Sequence, residues 1–517
     1  MKLKRPQLVS NGSLSRMLQS AQAAWDSKKF QEGIETLERA SRLDPANASI
    51  LLGLGNWHGC RYNYAAAEQC FEKAGRVAIH KAHAFAAAGM FCGDFRNYTM
   101  SERFFLRVGE QADATPKMLA QLATLYERQR RLDEAAAMVE RALQMNGDHA
   151  LALVVKARLQ RQTGGVEAAE QTIRSIVTQP NTDVWDHAQA WYELGLILDR
   201  REKYDDAMAA FAQAKILLKP HAGRFFAGLE ILRQRNQAMR ENLRPEILQG
   251  WLDAGPSLPP PRRLAFLGGH PRSGTTLLEQ VLDSHPGIIS LDETDIFHDD
   301  AYMPLAHRLP GDASMLSVLE AAPLDALQQS RANYFRSAEL YLNRSIGDRL
   351  LIDKNPPTTF LLPLLVRIFP EIKLLVALRD PRDVILSCFM QPIPLNYGST
   401  TYLALERTVD EYIALMSLWQ KLKPMLEGHY LEIRYEDMVN DLESVARKTL
   451  HFLGVAWDER VLRFDEHARK KVVRSPTYAD VAQPVYKRAK GRWEHYRRYL
   501  EPYLPKLEPF VKAFGYE

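Results

Sequence analysis

Along the first 220 residues the apolar positions recur in helical steps, and small residues among them keep a longer rhythm. Gly33, Ala67, Ser101, Ala135 and Ala169 stand 34 positions apart, and four residues beyond each comes Leu37, Phe71, Phe105, Val139 or Ile173. Another alanine follows seven beyond the first, second and fourth. Spacings of four and seven mark one face of a helix, and a fixed period of roughly 20–50 residues marks a stacked array. The pattern therefore predicts helical hairpins over 14–220. Past Pro220, RFFAGLEILRQRNQAMRENL puts Phe225, Leu229 and Leu232 on one face, which suits a helix capping the array. DAGPSLPPPRR follows and cannot continue a helix, so 221–262 reads as capping helix and linker. Beyond it the pattern changes to short continuous apolar runs separated by helical segments: LAFLG (264–268), GIIS (287–290), LLID (350–353), IKLLVAL (372–378) and HYLEIRY (429–435). Such runs predict a parallel sheet covered on both faces, an α/β domain over 263–517.

The clearest copy of the repeat is the sixth, WYELGLILDRREKYDDAMAAFAQAKILLKP, which carries Trp191, Leu194, Gly195, Ala207, Phe211 and Ala214 after a four-residue insertion. These residues match the tetratricopeptide (TPR) pattern W-x2-L-G…A-x3-F. Two antiparallel helices approach closely only where a small residue faces a bulky one, and each pair buries its apolar face against its neighbours. The expected fold is an all-α TPR solenoid of about six repeats, followed by an α/β P-loop-like parallel-sheet domain. A solenoid groove holds an extended peptide or packs against the next domain, and both readings stand.

Composition narrows the partners. The 67 basic against 63 acidic side chains leave a net charge of +4, which carries no footprint of a nucleic-acid binder, so any anion site is local. Cys60, Cys70, Cys92 and Cys388 form no C-x-x-C pair, and no metal or disulfide framework is expected. The N-terminus lacks the apolar core of a secretory signal and no run is long enough to span a bilayer, so a cytoplasmic protein without membrane contact is expected.

In open parallel sheets the ligand crevice lies beyond the carboxyl ends of the strands. The first apolar run there opens into GGHPRSGTT. Gly269 and Gly274 keep the spacing of the phosphate-binding pattern G-x-x-x-x-G-K-[ST], but Thr275 replaces its lysine. Loop N–H groups and the hydroxyls of Ser273, Thr275 and Thr276 suit a phosphate at a helix N-terminus, and Arg272 supplies the charge. By itself the loop is also a glycine turn. LDET places Glu293 beside Asp292 and Asp295, though an acidic loop alone is usually solvated. DKNPP sets Lys354 at a strand exit, where a surface lysine is the alternative. In LRDPRDVILS, Asp380 caps a helix begun by Pro381, and Arg379 with Ser387 suits a second phosphate.

Together these motifs resemble the sulfotransferase family, whose donor is 3′-phosphoadenosine-5′-phosphosulfate (PAPS). HPRSGTTLLEQVLDSHP resembles its 5′-phosphosulfate loop, LRDPRDVILS its 3′-phosphate motif, and KGRW at 490–493 its nucleotide-clamping loop. P-R-S-G-T-T-L, D-E-T and the lysine of DKNPP are more similar to the tyrosylprotein sulfotransferase branch than to the small-molecule branch, and the whole layout is similar to bacterial TPR sulfotransferases.

The resemblance implies that Arg272, Ser273, Gly274, Thr275 and Thr276 hold the 5′-phosphosulfate, and that Arg379, Ser387, Arg488, Lys490 and Gly491 hold the 3′-phosphate. It implies Lys354 at the leaving oxygen, Glu293 as general base, and Arg272 in a catalytic as well as a binding role. Tyr435 and Ser475 resemble cofactor-site residues, with a core tyrosine the alternative for Tyr435. His270 and His285 lie nearby, and the small-molecule branch uses a histidine base. The expected activity is PAPS-dependent, metal-free O-sulfation of a hydroxyl, with a protein or peptide tyrosine presented by the TPR groove as one acceptor. The competing readings are an ATP-dependent phosphotransferase and a TPR scaffold whose second domain is inactive.

Overall fold

The computed structural model describes residues 12–516 apart from 180–181, 259–261, 393–394, 470–484 and 486–487. By compactness the chain divides into Met1–Leu159 with Arg336–Arg344, and Gln160–Phe335 with Ser345–Glu517. The division falls inside the repeat array, away from the proline-rich stretch near residue 262.

In the first unit, consecutive helices pair, as in Ala48–Cys60 with Tyr64–Val77 and Lys81–Asp94 with Tyr98–Val108. The small-against-bulky rule is visible atom by atom. A Cβ on Gly55 would lie 2.5 Å from the Phe71 ring, and one on Gly89 2.7 Å from Phe105. The same contact recurs in the second unit, where Gly195 of Val184–Arg200 meets Phe211 of Tyr204–Leu218 at 2.5 Å.

The period also appears in the backbone. Left-handed φ angles fall at Lys28 (61°), Tyr62 (65°), Arg96 (67°), Arg130 (64°) and Gly164 (93°), one 34-residue step apart, and at Glu202 (59°) after the insertion. The N–H following each turns back to a carbonyl five residues earlier, as from Asn63 to His58 at 2.9 Å and from Lys203 to Leu198 at 2.9 Å. This is a left-handed helix stop that satisfies carbonyls otherwise orphaned at the helix end.

The helix Gly223–Asn242 forms where the sequence places it, but Leu232 is 41% exposed while Leu229 is buried. Its inner face meets residues 397–407: Arg233 donates to Thr401 Oγ1 at 3.2 Å, and Phe226 lies under the Arg407 guanidinium at 4.4 Å. Leu232 therefore does not join the packed stripe.

The second unit is built on five parallel strands, β1 (Leu264–Gly269), β2 (Ile288–Asp292), β3 (Leu350–Lys354), β4 (Lys373–Leu378) and β5 (Tyr430–Arg434), in the order β2-β3-β1-β4-β5. The chain leaves β1 toward one edge and later returns to its other side, so the switch in strand order lies between β1 and β4. Alternation sends Leu267, Ile352, Leu375 and Ile433 under the helices Thr275–Asp283 and Leu442–Leu453. Phe266 on the opposite face packs with Phe297, Tyr334 and Phe369. Covering both faces explains why the strands read as unbroken apolar runs.

Phe211→Ala, which empties the space facing Gly195, is expected to cost about 3–5 kcal/mol. Urea unfolding of the full chain measures the loss.

Candidate active site

At the end of β1 the chain turns sharply. Gly269 has φ 130°, and a Cβ there would lie 2.4 Å from the Ala377 carbonyl of β4. Arg272 (φ 73°) and Gly274 (φ 96°) are left-handed, and Gly274 leads into the helix Thr275–Asp283 with its Cβ direction 2.7 Å from the Tyr435 ring. Only glycine fits that approach. Ser273 Oγ donates to the His270 carbonyl at 2.7 Å, fastening the loop, and Thr275 and Thr276 are buried at its end.

The two loops assigned from sequence to two phosphates close on each other. Arg272 Nε donates to Ser387 Oγ at 3.2 Å, and Arg379 Nη1 donates to the Arg272 carbonyl at 3.3 Å. Asp380 caps the helix Pro381–Phe389 by accepting from Arg382 N, which sets Ser387 two turns along. Arg379 also donates to the Ala489 carbonyl, lies 5.0 Å over the Tyr435 ring, and keeps a buried Nε with no hydrogen-bond partner among the described residues. Tyr435 thus touches Gly274 and Arg379 at once. Arg488 and Lys490 are exposed beside Ala489, and Gly491 donates its N–H to Asp383 at 2.8 Å. Ser475 lies outside the described residues.

At the neighbouring strand ends, register pairs Asp292 of β2 with Lys354 of β3. Lys354 is fully buried rather than a surface residue, with Nζ 2.5 Å from Asp292 Oδ1 and 2.8 Å from Glu293 Oε1. Burial favours the neutral amine, but Asp292, Glu293 and Glu279 outweigh it and hold the ammonium charged. Asp292 is buried as well, whereas the Glu293 side chain remains 32% exposed. Glu293 is left-handed too (φ 53°), anchored by its N–H to the Lys354 carbonyl at 2.7 Å.

Neither histidine is arranged as a base. His270 is 1% exposed, with Nδ1 2.7 Å from the Pro271 carbonyl and Nε2 2.7 Å from Glu411 Oε2. Both ring nitrogens face acceptors. Burial pulls the pKa down, but Glu411 and Cys388 overcome it and lift it to about 10. His285 accepts from Gly287 N at 2.9 Å and turns its other nitrogen to the Ala456 carbonyl at 2.9 Å.

Glu411 and Asp383 carry no signal in the sequence, and Asp292 finds its partner only in the fold. Their partners lie up to 141 residues away, where no local spacing reveals them. The donor set fits a doubly phosphorylated nucleotide: two guanidinium groups, the hydroxyls of Ser273, Thr275, Thr276 and Ser387, and a helix N-terminus lie at the carboxyl edge, and the Arg379 Nε is unmatched among the described residues.

Residues 265–459 match the Sulfotransferase family, and residues 18–78, 121–184 and 182–221 match the tetratricopeptide repeat. The chain thus carries TPR repeats followed by a sulfotransferase domain. An uncharacterised protein of Aquifex aeolicus is 24% identical over 66% of this chain and 44% of its own length. The protein-tyrosine sulfotransferase of Drosophila melanogaster is 27% identical over 44% of this chain and 46% of its own. Protein-tyrosine sulfotransferase 2 of Gallus gallus is 27% identical over 49% and 69%. The chain spans less than half the length of the first two. Among solved structures, the sulfotransferase domain of the Synechococcus PCC 7002 olefin synthase is 24% identical, covering 46% of this chain and 90% of that one with a TM-score of 0.35.

Since His270 is held as an imidazolium, 15N NMR at pH 8 is expected to find both ring nitrogens protonated. Its folded pKa lies above the ordinary imidazole value, so the pair's stabilisation is complete below that value and fades as pH rises through about 10. Glu411→Gln removes the charge that lifts the ring's pKa, so His270 is expected to shed its proton at neutral pH and the variant to lose about 3–5 kcal/mol of stability.

Proposed function

We propose that this chain transfers a sulfuryl group from PAPS to an acceptor hydroxyl, with a tyrosine in a protein or peptide as the preferred acceptor class. One observation carries the reading: Arg272, Ser387 and Arg379 interlock, so that the two loops meet. Arg272, Ser273, Gly274, Thr275 and Thr276 would hold the 5′ end of the donor. Arg379, Ser387 and Tyr435, with Arg488, Lys490 and Gly491, would hold the 3′-phosphate end. When bound, PAPS supplies the sulfuryl group and the departing phosphate.

The division of labour at Lys354 follows from burial. Glu293 is the open carboxylate and takes the proton of the acceptor hydroxyl at Oε2, since Oε1 is engaged by Lys354. Lys354 donates from Nζ toward the departing oxygen. Asp292 stands behind Lys354 and keeps it charged while Glu293 holds the proton. An ammonium aimed where negative charge grows needs no cation beside it.

The TPR match and the tyrosine-sulfating relatives support a peptide acceptor brought by the repeats. Among the described residues no helix is long and apolar enough to cross a membrane, and the four cysteines are free; we place the protein in the cytoplasm.

Calorimetry in EDTA is expected to detect binding of adenosine 3′,5′-bisphosphate. ATP binding that requires magnesium, with none of the bisphosphate, would overturn the reading in favour of a phosphotransferase. Lys354→Ala should retain bisphosphate binding while transfer to a tyrosine peptide falls by about 100- to 1,000-fold. Glu293→Gln should lower transfer by about 100- to 10,000-fold.

A further inference from the structure

The segment that follows Lys490 is gripped from two sides. On one side Asp383, in the helix Pro381–Phe389, accepts the Gly491 N–H and the Trp493 N–H, each at 2.8 Å. On the other stands Asp199, near the end of the helix Val184–Arg200 in the sixth repeat. Arg492 Nη2 lies 2.6 Å from Asp199 Oδ2 and Arg492 Nε donates to Oδ1 at 3.2 Å, a two-pronged pair; the Tyr496 hydroxyl donates to Oδ1 at 2.6 Å. The backbone amides of 491 and 493 thus serve one carboxylate and the side chains of 492 and 496 the other. Tyr204, which opens the second helix of the same repeat, stacks on His495 at 4.4 Å.

We propose that the sixth repeat sets the anion-gripping loop at 488–491, with Asp199 as its positioning residue. The inference rests on the reading of that loop as part of the 3′-phosphate grip. The chain of contacts is short. Asp199 fixes Arg492, next to Gly491; two residues earlier the Ala489 carbonyl takes Arg379 Nη2; and Arg379 in turn holds the Arg272 carbonyl. Fixing the backbone here presents Arg488, Lys490 and Arg379 to an anion without a further ordering cost on binding. Asp199 has an acidic neighbour for comparison. Asp205 pairs with Arg498 at 2.6 Å, but both side chains are more than 60% exposed, and such surface pairs contribute little.

The test uses the full chain as wild type, Asp199→Asn, Asp199→Glu and Asp205→Asn. Amide hydrogen exchange reads the hold on 488–496 directly, without ligand. Calorimetry with adenosine 3′,5′-bisphosphate and steady-state transfer read its consequence. Asp199→Asn is expected to speed exchange over 488–496, weaken bisphosphate binding about tenfold and raise KM for PAPS by a similar factor. Its kcat should stay within about twofold of wild type. Asp199→Glu should recover part of the affinity, and Asp205→Asn should match wild type. Unchanged exchange, exchange that quickens while affinity stays constant, or a fall in kcat at constant KM would each overturn the proposal. If Asp199→Asn folds poorly, Tyr496→Phe deletes one of the bonds and should move exchange and affinity the same way by a smaller factor. Wild-type protein that takes up no bisphosphate would sink the reading of the site instead, and with it the role assigned to the loop, even if exchange still reported the hold by Asp199.

Discussion

Sealing an ammonium from water costs several kcal/mol unless carboxylates stand against it, and the carboxyl edge of the sheet is organised around meeting that cost for Lys354. Parallel pairing of β2 with β3 brings Asp292 level with Lys354, so the compensating charge arrives through strand register rather than through a flexible loop. The next residue, Glu293, then has one carboxylate oxygen committed to the cation and enough exposure to meet a second molecule. In the proposed transfer, a buried carboxylate and an accessible one around a single lysine separate the task of keeping charge from the task of moving a proton.

The same logic recurs across the site. Charged groups that would be costly alone are held in pairs or against carbonyls: His270 between Glu411 and Pro271, Arg379 between Arg272 and Ala489, Arg492 against Asp199. Each pairing ties together segments distant in sequence, so the charge network also fixes which loops meet. The phosphate grip proposed for these loops depends on geometry set before a ligand arrives.

Much of this was legible in the chain. The 34-residue period fixed the hairpins because a small residue faces a bulky one, as Gly55 faces Phe71 and Gly195 faces Phe211, and the five apolar runs marked the strands because both sheet faces are covered. Motifs next to strand ends could be read because topology places all such ends along one edge. What stayed hidden were long-range pairings. No spacing announces that Glu411 charges His270 or that Asp383 holds the amides near residue 492, and the full burial of Lys354 follows from packing rather than from its neighbours in sequence. The exposure of Leu232 escaped for a related reason, since helical spacing defines a face but not how far its partner extends.

Two of the residues assigned to chemistry, Arg272 and Glu293, sit in left-handed backbone that side-chain-bearing residues adopt at a cost of about 1 kcal/mol or more. Directed evolution for heat resistance would therefore be drawn to glycine or asparagine at these two positions, where relief of torsion rewards survival in a melting screen. Hardier clones recovered that way would lack the guanidinium and the carboxylate on which the proposed transfer draws, and a selection that scores thermal endurance alone would steadily erase that proposed activity.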